Sequence, residues 1–470
     1  MRLTLLALVP VVTFAACTGG PSAGDAAIDA ASVDRTAVDA FVDALAPSDA
    51  IAVTDAIDAV QPDVPGDVRT DAPDDVAAGP CIPPGGATVE YAVRAQPRVT
   101  LPAAGGTFVD PTFGTTLIRV TDATSGTEAH HAYGYWPVFN ADSTRFHISV
   151  DGQATLYQFD PTSSAVTRLA PLFAGAPCAW EDAFWSHTDP NILYCHSVTP
   201  RRLYAYDIRR PGMAGLTLIH DFEADLGAGA DINMLQMLLD ERDDAFTFHT
   251  RNDTGTRYRA VVYVRSTNRT YVRDYRTRGL DETHMDLAGR YAVVQLDNEW
   301  DVWDFRADTS VAVHRNDTER GGLCHQAGAR GLYVGGDCWQ TGFLVRPFDD
   351  PLRWRHLVSF YRADGTTLNW DYDIHLTVSQ RDQRYFVSSL YTPALNPAVW
   401  NPWEQEIVAV AMDGSWVARL AHHHSDVRTG GYWASPRASI SYDGRFVVFT
   451  SNWDGARRDV FILRMPVLCR

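Results

Sequence analysis

The side chains able to do chemistry in this sequence are gathered into a few short phrases. Histidine stands beside tyrosine, tryptophan or arginine in EAHHAYGYW at Glu128–Trp136, YCHSVTPRR at Tyr194–Arg202, FTFHTR at Phe246–Arg251 and AHHHSD at Ala421–Asp426. Imidazole changes charge near neutral pH, so these phrases can supply proton donors and acceptors. Their aromatic rings suit stacking on sugar faces, and their arginines suit pairing with carboxylates. His130 and His131 stand directly before an apolar strand and are expected to face inward, whereas the run at 422–424 reads equally well as a solvated loop. All 40 basic residues are arginine. Lysine Schiff bases, lysine general bases and a phosphate-loop lysine are thereby excluded, and an anionic ligand must be held by arginine, histidine, a metal or backbone amides.

The elements that must position these groups are strands. One pattern returns seven times between Phe139 and Met465: an apolar residue, a turn rich in Asp, Gly or Arg, an apolar strand, a second turn and another apolar strand. It reads FNADSTRFHISV at Phe139, FWSHTDPNILYC at Phe184, LLDERDDAFTFH at Leu238, MDLAGRYAVVQL at Met285, CHQAGARGLYVG at Cys324, LTVSQRDQRYFVSS at Leu376 and ISYDGRFVVFTS at Ile440. Self-similarity at roughly 40–65 residues with period-two alternation predicts an all-β chain, a seven-bladed β-propeller over 81–470. ADINMLQMLLDE is the nearest approach to a helical pattern, and it coincides with the third copy. No nucleotide fingerprint and no Gly-x-Ser-x-Gly elbow is present.

In a propeller the first strand of each copy lines the central channel. Aligning the copies places Trp136, Asp182, Gln236, His284, Cys324, His375 and Arg437 at one equivalent position, a ring too polar for a core and suited to a pocket floor. His284, Cys324 and His375 come from consecutive copies, with His325 adjacent and Cys338 one hairpin away. Imidazole and thiolate from neighbouring strands suit a tetrahedral Zn ion. The alternative is a Cys324–Cys338 disulfide with hydrogen-bonded histidines.

The ends carry different information. Residues 1–17, MRLTLLALVPVVTFAAC, have the charge, apolar run and small residues of a secretory signal, too short for a bilayer-spanning helix of about 20 residues. FAAC resembles a bacterial lipobox, which makes Cys17 the expected lipidation site and the outer membrane or cell surface the expected location. Residues 18–80 hold 13 Asp, no Glu and two Arg, a net −11, and are expected to form a disordered acidic tether. Residues 81–470 then carry −8, without the basic stripe that nucleic-acid binding requires. Six cysteines remain for an oxidising compartment. Cys81 with Cys469 and Cys178 with Cys195 are the expected bridges.

The copies, together with FGTTLIRVTD, DETHMDLAGRYAVV and AHHHSDVRTGGYWASPRASISYDGRFVVFTSNWDG, resemble the secreted seven-bladed lyases of uronate polysaccharides, the oligogalacturonate and ulvan lyases. The last phrase is also similar to Tol-type periplasmic propellers. The lyase resemblance implies action on an acidic polysaccharide or oligosaccharide by β-elimination; a monomer without an organic cofactor is expected. On this chain it implies His131 as base with His130 as alternate, Tyr194 or His196 as acid, and Arg202 or Arg201 as the group neutralising the substrate carboxylate. His284, Cys324, Cys338 and His375, with His325, would hold a structural ion. A lipid-anchored propeller that only binds glycan or protein partners is the competing expectation.

Overall fold

Four of the seven copies show why the pattern repeats. The amide of Ser143 donates to Asn140 O, that of Asp243 to Asp240 O, that of Gly289 to Asp286 O and that of Gly444 to Ser441 O, at 2.7–3.2 Å. In each turn the fourth residue is left-handed, with φ of 59°, 57°, 71° and 72° respectively. Such a turn favours Asn, Asp or Ser at its first position and Gly, or a small polar residue, at its fourth. The recurring letters are thus the chemistry of one tight turn linking the first and second strands of a blade.

A computed structural model of the chain describes residues 89–467 apart from 198–199, 228–232, 253–256, 277–278, 297–298, 316–322, 338–341, 362–372, 393–401 and 454, and apart from the side chains of 233–235, 276, 314–315, 323–324 and 337. Seven antiparallel sheets follow one another along it. Their inner strands are Ala129–His130, Phe184–Trp185, Asn233–Leu239, Leu280–Met285, Leu323–Gly328, Asp373–Thr377 and Ser439–Ile440, numbered here as blades 1 to 7. The expected seven-bladed propeller is therefore the fold. The helix-like stretch ADINMLQMLLDE contributes the inner strand of blade 3. Among the described residues α-helix is confined to single turns such as Glu223–Leu226 and Val427–Gly430.

The blades pack face to face through fully buried aliphatic and aromatic side chains, for example Val261 and Phe246 in blade 3 with Val294 and Trp303 in blade 4. Blade 7 has five strands, because Thr107–Val109 and Thr116–Arg119 from the start of the body lie outside Asp459–Arg464 from its end, with Leu117 opposite Leu463. The ring is thus closed by a ladder of backbone hydrogen bonds between its first and last segments. Cys81 and Cys469, the bridge expected at that seam, lie outside the described residues, as do Cys17, the signal sequence and the acidic tether. Cys178 and Cys195 are joined in a disulfide.

Candidate functional site at the mouth of the channel

Blade 1 has the shortest possible inner strand, two residues, because the chain leaves it to cross the channel. Tyr133, Tyr135 and Trp136 form a plug that touches five other blades. Trp136 Nε1–H donates to Met237 O of blade 3 at 2.7 Å, and Ser439 Oγ of blade 7 donates to Trp136 O at 3.0 Å. The Tyr135 ring meets His284 of blade 4 at 4.7 Å. Tyr133 meets His375 of blade 6 at 4.8 Å, and its hydroxyl lies 3.0 Å from His325 Nδ1 of blade 5. A side chain at Gly134 would crowd the Arg437 carbonyl, since a Cβ there would sit 3.2 Å from it. Beside Tyr135 and His284 lies a mainly apolar cavity lined by Leu238, Leu239, Met285 and Leu287.

Three residues at equivalent places in the repeat have irregular backbone. Gln236, His325 and Arg437 have φ of 54°, 49° and 41°, and the ladders of blades 3 and 5 shift register at the first two. A non-glycine residue in that region is strained, and bulges of this kind re-aim a side chain. The bulge corrects the repeat alignment in blade 5. Cys324 stays in the ladder opposite Gly336, and His325, not Cys324, stands where Gln236 and Arg437 stand.

Around the plug, buried imidazoles are held by carboxylates. His325 Nε2 lies 3.1 Å from Asp373 Oδ1, and the other oxygen of Asp373 accepts from the Tyr391 hydroxyl. Burial alone would lower the pKa of His325, but the Asp373 carboxylate outweighs it and holds the ring on its protonated side. Asp373 is correspondingly held below the usual carboxylate range, the attraction of His325 overcoming burial. With His325 protonated, Nε2–H donates to Asp373 and Nδ1–H donates to the Tyr133 oxygen. The phenolic proton of Tyr133 is then free of His325, while burial keeps that phenol from ionising. His375 differs. Burial and the neighbouring His325 push its pKa well down, it lies 4.6 Å from His325 and 5.7 Å from Tyr391 ring to ring, and its buried Nδ1 has no partner among the described residues.

Two further pairs complete the polar half of the channel. Glu282 Oε2 is 2.9 Å from His284 Nε2, and Asp182 Oδ2 is 2.7 Å from His196 Nε2. Burial opposes the charged form of His196, yet Asp182 raises its pKa. His249, fully buried between the two pairs, is lowered to about 4 by burial. The sequence held a signal for part of this. Glu282 and His284 are two apart on one strand and so share a face, as do Asp373 and His375.

The expected site residues fall into distinct places. His131 is fully buried, with Nδ1 2.7 Å from Thr450 Oγ1 and Nε2–H donating to Arg437 O at 2.8 Å, so both ring nitrogens are engaged. His130 stacks on Trp433 at 4.4 Å, its Nδ1–H donates to the His131 carbonyl, and burial lowers its pKa to about 4. Tyr194 lies in the hydrophobic core beside Phe246, its hydroxyl accepting from Arg265 at 3.3 Å, which takes it away from the channel. His196 is at the channel, paired as above. Arg201 is buried against Glu223, and Arg202 binds Asp221. Both are therefore committed to acids of their own blade rather than to the mouth. His422, His423 and His424 are buried, not solvated. Their run leaves the outer strand of blade 6 and packs between blades 6 and 7, with His423 Nε2–H donating to Leu390 O of blade 6 and His424 stacked on Trp453 beside blade 7.

The expected metal set is described only at His284, His325 and His375. Among the described residues no three His, Cys, Asp or Glu come together as a metal-binding group. His284 is turned to Glu282 and His325 to Asp373 and Tyr133, and His375 lies against aromatic rings. The Cys324 side chain and Cys338 are outside the described residues, so the disulfide alternative there is likewise outside them.

A toroid of seven blades with a polar, plugged mouth places the chain among the seven-bladed propellers. Within that class it is similar to solved oligogalacturonate lyases. The enzyme from Vibrio parahaemolyticus superposes with a TM-score of 0.56 at 15% identity, covering 77% of this chain and 96% of that one. An oligogalacturonate lyase in complex with manganese superposes with a TM-score of 0.55 at 14% identity, covering 78% and 97%. At these identities the likeness is one of fold. No protein-family model matches the chain, and no curated protein matches it in sequence.

Proposed function

We propose that the mouth of the channel receives a uronate-containing acidic glycan and cleaves it by β-elimination. The observation that carries this reading is the line Asp373–His325–Tyr133, which ends in a phenol that can donate a proton beside a neutral imidazole, His375. General acid–base work needs a donor and an acceptor converging on one point. His375 accepts the proton on C5 of the uronate, whose electrons form the C4–C5 double bond as the bond from C4 to the leaving oxygen breaks. Tyr133 gives that oxygen its proton and regains one from His325, whose positive charge stabilises the transient phenolate. His375 then releases its proton to water and His325 takes one back from water, which restores both groups. This assignment moves the base from His131 to His375 and the acid from Tyr194 to Tyr133. His130, with its Nε2 lone pair left free, is the remaining base from the sequence reading.

A module that binds acidic glycan without cutting it is the second reading, favoured by the aromatic rim of Trp180, Tyr432 and Trp433. Incubation of the protein with a panel of uronate polysaccharides separates the two. The lyase reading expects rising ultraviolet absorbance from the unsaturated product. Folded protein that retains the polymer on an affinity gel but gives no absorbance on any uronate glycan leaves binding alone.

A further inference from the structure

Glu181 is an acid at the rim of the mouth with no committed partner. It is half-buried, and among the described residues none donates a hydrogen bond to its carboxylate or pairs with it at ion-pair distance. Other acids of the channel are engaged, Asp182 by His196, Glu282 by His284 and Asp373 by His325. What acts on Glu181 is burial and charge. Burial, and then the Asp182 carboxylate, raise its pKa, while the fully buried guanidinium of Arg437 opposes them.

The neighbours of Glu181 at the rim form a row of rings. Trp180, next to it in sequence, lies 5.6 Å from the ring of His130, His130 stacks on Trp433 at 4.4 Å, and Trp433 meets Tyr432 at 5.3 Å. With its pKa lowered to about 4, His130 adds no charge to this row at neutral pH. Arg437 feels the charges of Glu181, Tyr133 and Tyr391 alike, which places the row beside the proposed acid. The turn that carries Trp180 and Glu181 is held on both sides. Ala183 N–H donates to Trp180 O at 3.3 Å, Ala179 N–H donates to His196 O at 2.9 Å, and Cys178 is bonded to Cys195. A fixed aromatic face beside a fixed acceptor is suited to a sugar, whose C–H face lies on the ring while its hydroxyls donate to the carboxylate.

We infer that Trp180 and Glu181 bind the sugar next to the uronate that is cut, and that this sugar carries no anionic group. The substrate is then a polymer in which uronate alternates with a neutral sugar, rather than a run of uronates or a chain with sulfated neighbours. The inference rests on the reading of the mouth as an acidic-glycan site and deepens it. Hydroxyls donating to an ionised carboxylate make stronger hydrogen bonds than they do with neutral acceptors. A carboxylate or sulfate in the same place would meet Glu181 and its neighbour Asp182. Burial already leaves Glu181 short of compensation, so a further negative charge there is strongly opposed, and an unpaired charge of this kind selects by rejecting the wrong ligand.

The test titrates the full chain by calorimetry at fixed ionic strength, alongside thermal melting. The ligands are unsulfated chondroitin and hyaluronan, in which uronate alternates with a neutral N-acetylated sugar, and chondroitin sulfate and polygalacturonate, in which the neighbour is anionic. The expected result is binding of the first pair about tenfold or more tighter than the second. Glu181→Gln should bring the two pairs within about threefold of each other with melting unchanged. Wild type that binds polygalacturonate as tightly as unsulfated chondroitin, or binds none of these polymers, overturns the inference. So does a preference that Glu181→Gln leaves as it was. A lower melting temperature in Glu181→Gln, with binding of every polymer reduced alike, makes Glu181 only a counterion of Arg437 and overturns it too. Ultraviolet assay of the same polymers separates this from the lyase reading. Elimination of polygalacturonate and unsulfated chondroitin at equal kcat/KM sinks the subsite and spares the lyase, whereas a preference that Glu181→Gln abolishes, without elimination of any polymer by wild type, sinks the lyase and spares the subsite.

Discussion

Tyr133 and Asp373 are where the proposed chemistry is most exposed to test. Tyr133→Phe removes one oxygen from a half-buried ring and leaves its packing against His375 intact, so the fold should persist. Elimination should fall by about 10²-fold or more, the usual share of a positioned acid, while uronate binding changes little. Asp373→Asn acts through His325. The pKa of His325 is raised in the folded state, so the pair's contribution from this side is complete below about 6.5 and is lost as pH rises through the folded value. Asp373 is depressed, so its contribution is complete above about 3.9 and is lost as pH falls through its own folded value. The pair therefore stabilises the protein most in mildly acidic solution. Asparagine should shift the alkaline limb of the rate profile to lower pH. A third of the Asp373 side chain is exposed, so the loss of stability should be about 1–3 kcal/mol rather than that of a wholly buried pair, as denaturant melts at pH 6 would measure.

At the level of elements, the segment before the inner strand of blade 2 is tied to the second strand of that blade by the Cys178–Cys195 disulfide, 17 residues apart. Asp182 lies inside the closed loop and His196 follows Cys195 directly, so the bridge sets the distance between the members of this buried pair. Replacing both cysteines by serine should lower stability by about 3 kcal/mol for a loop of this size. It should also let Asp182 drift from His196, so that the imidazole titrates at lower pH, observable by proton NMR of its ring. The same blade shows what the sequence could reveal. Repeating turn chemistry and period-two strands made the seven blades legible, because each copy must meet the same local steric demand. The mouth was only partly legible. A bulge inserts a residue without any mark in composition, which is why Cys324 was placed where His325 stands. Asp373 and Tyr391 face each other across one hairpin of blade 6, but Tyr133 and His325 come from other blades, and only the closed ring brings them to that pair. The tyrosine in YCHS looked as suited to proton transfer as the tyrosines in AYGYW, yet packing alone sends Tyr194 into the core and Tyr133 into the channel.

The whole molecule depends on one seam. Every other blade is built from a continuous stretch of chain, but blade 7 borrows Thr107–Val109 and Thr116–Arg119 from the start of the body. Leu117 and Ile118 are buried there, and Arg119 pairs with Asp459 at 2.8 Å across the seam. A chain beginning at residue 81 should melt as the full protein does, since residues 18–80 have too little apolar surface to join a core. A chain beginning at Val120 loses two strands and leaves Asp459–Arg464 as an open, apolar edge, a template for pairing with other chains. Removing two buried aliphatic side chains at about 1.5–3 kcal/mol each should lower the melting temperature by on the order of 10 °C. Light scattering should show association in the shorter chain alone. If the chain from Val120 instead remained monomeric with unchanged melting, the ring would not be held by this seam. The shared axis that lets His325, His375, Tyr133 and Arg437 meet would then need another origin.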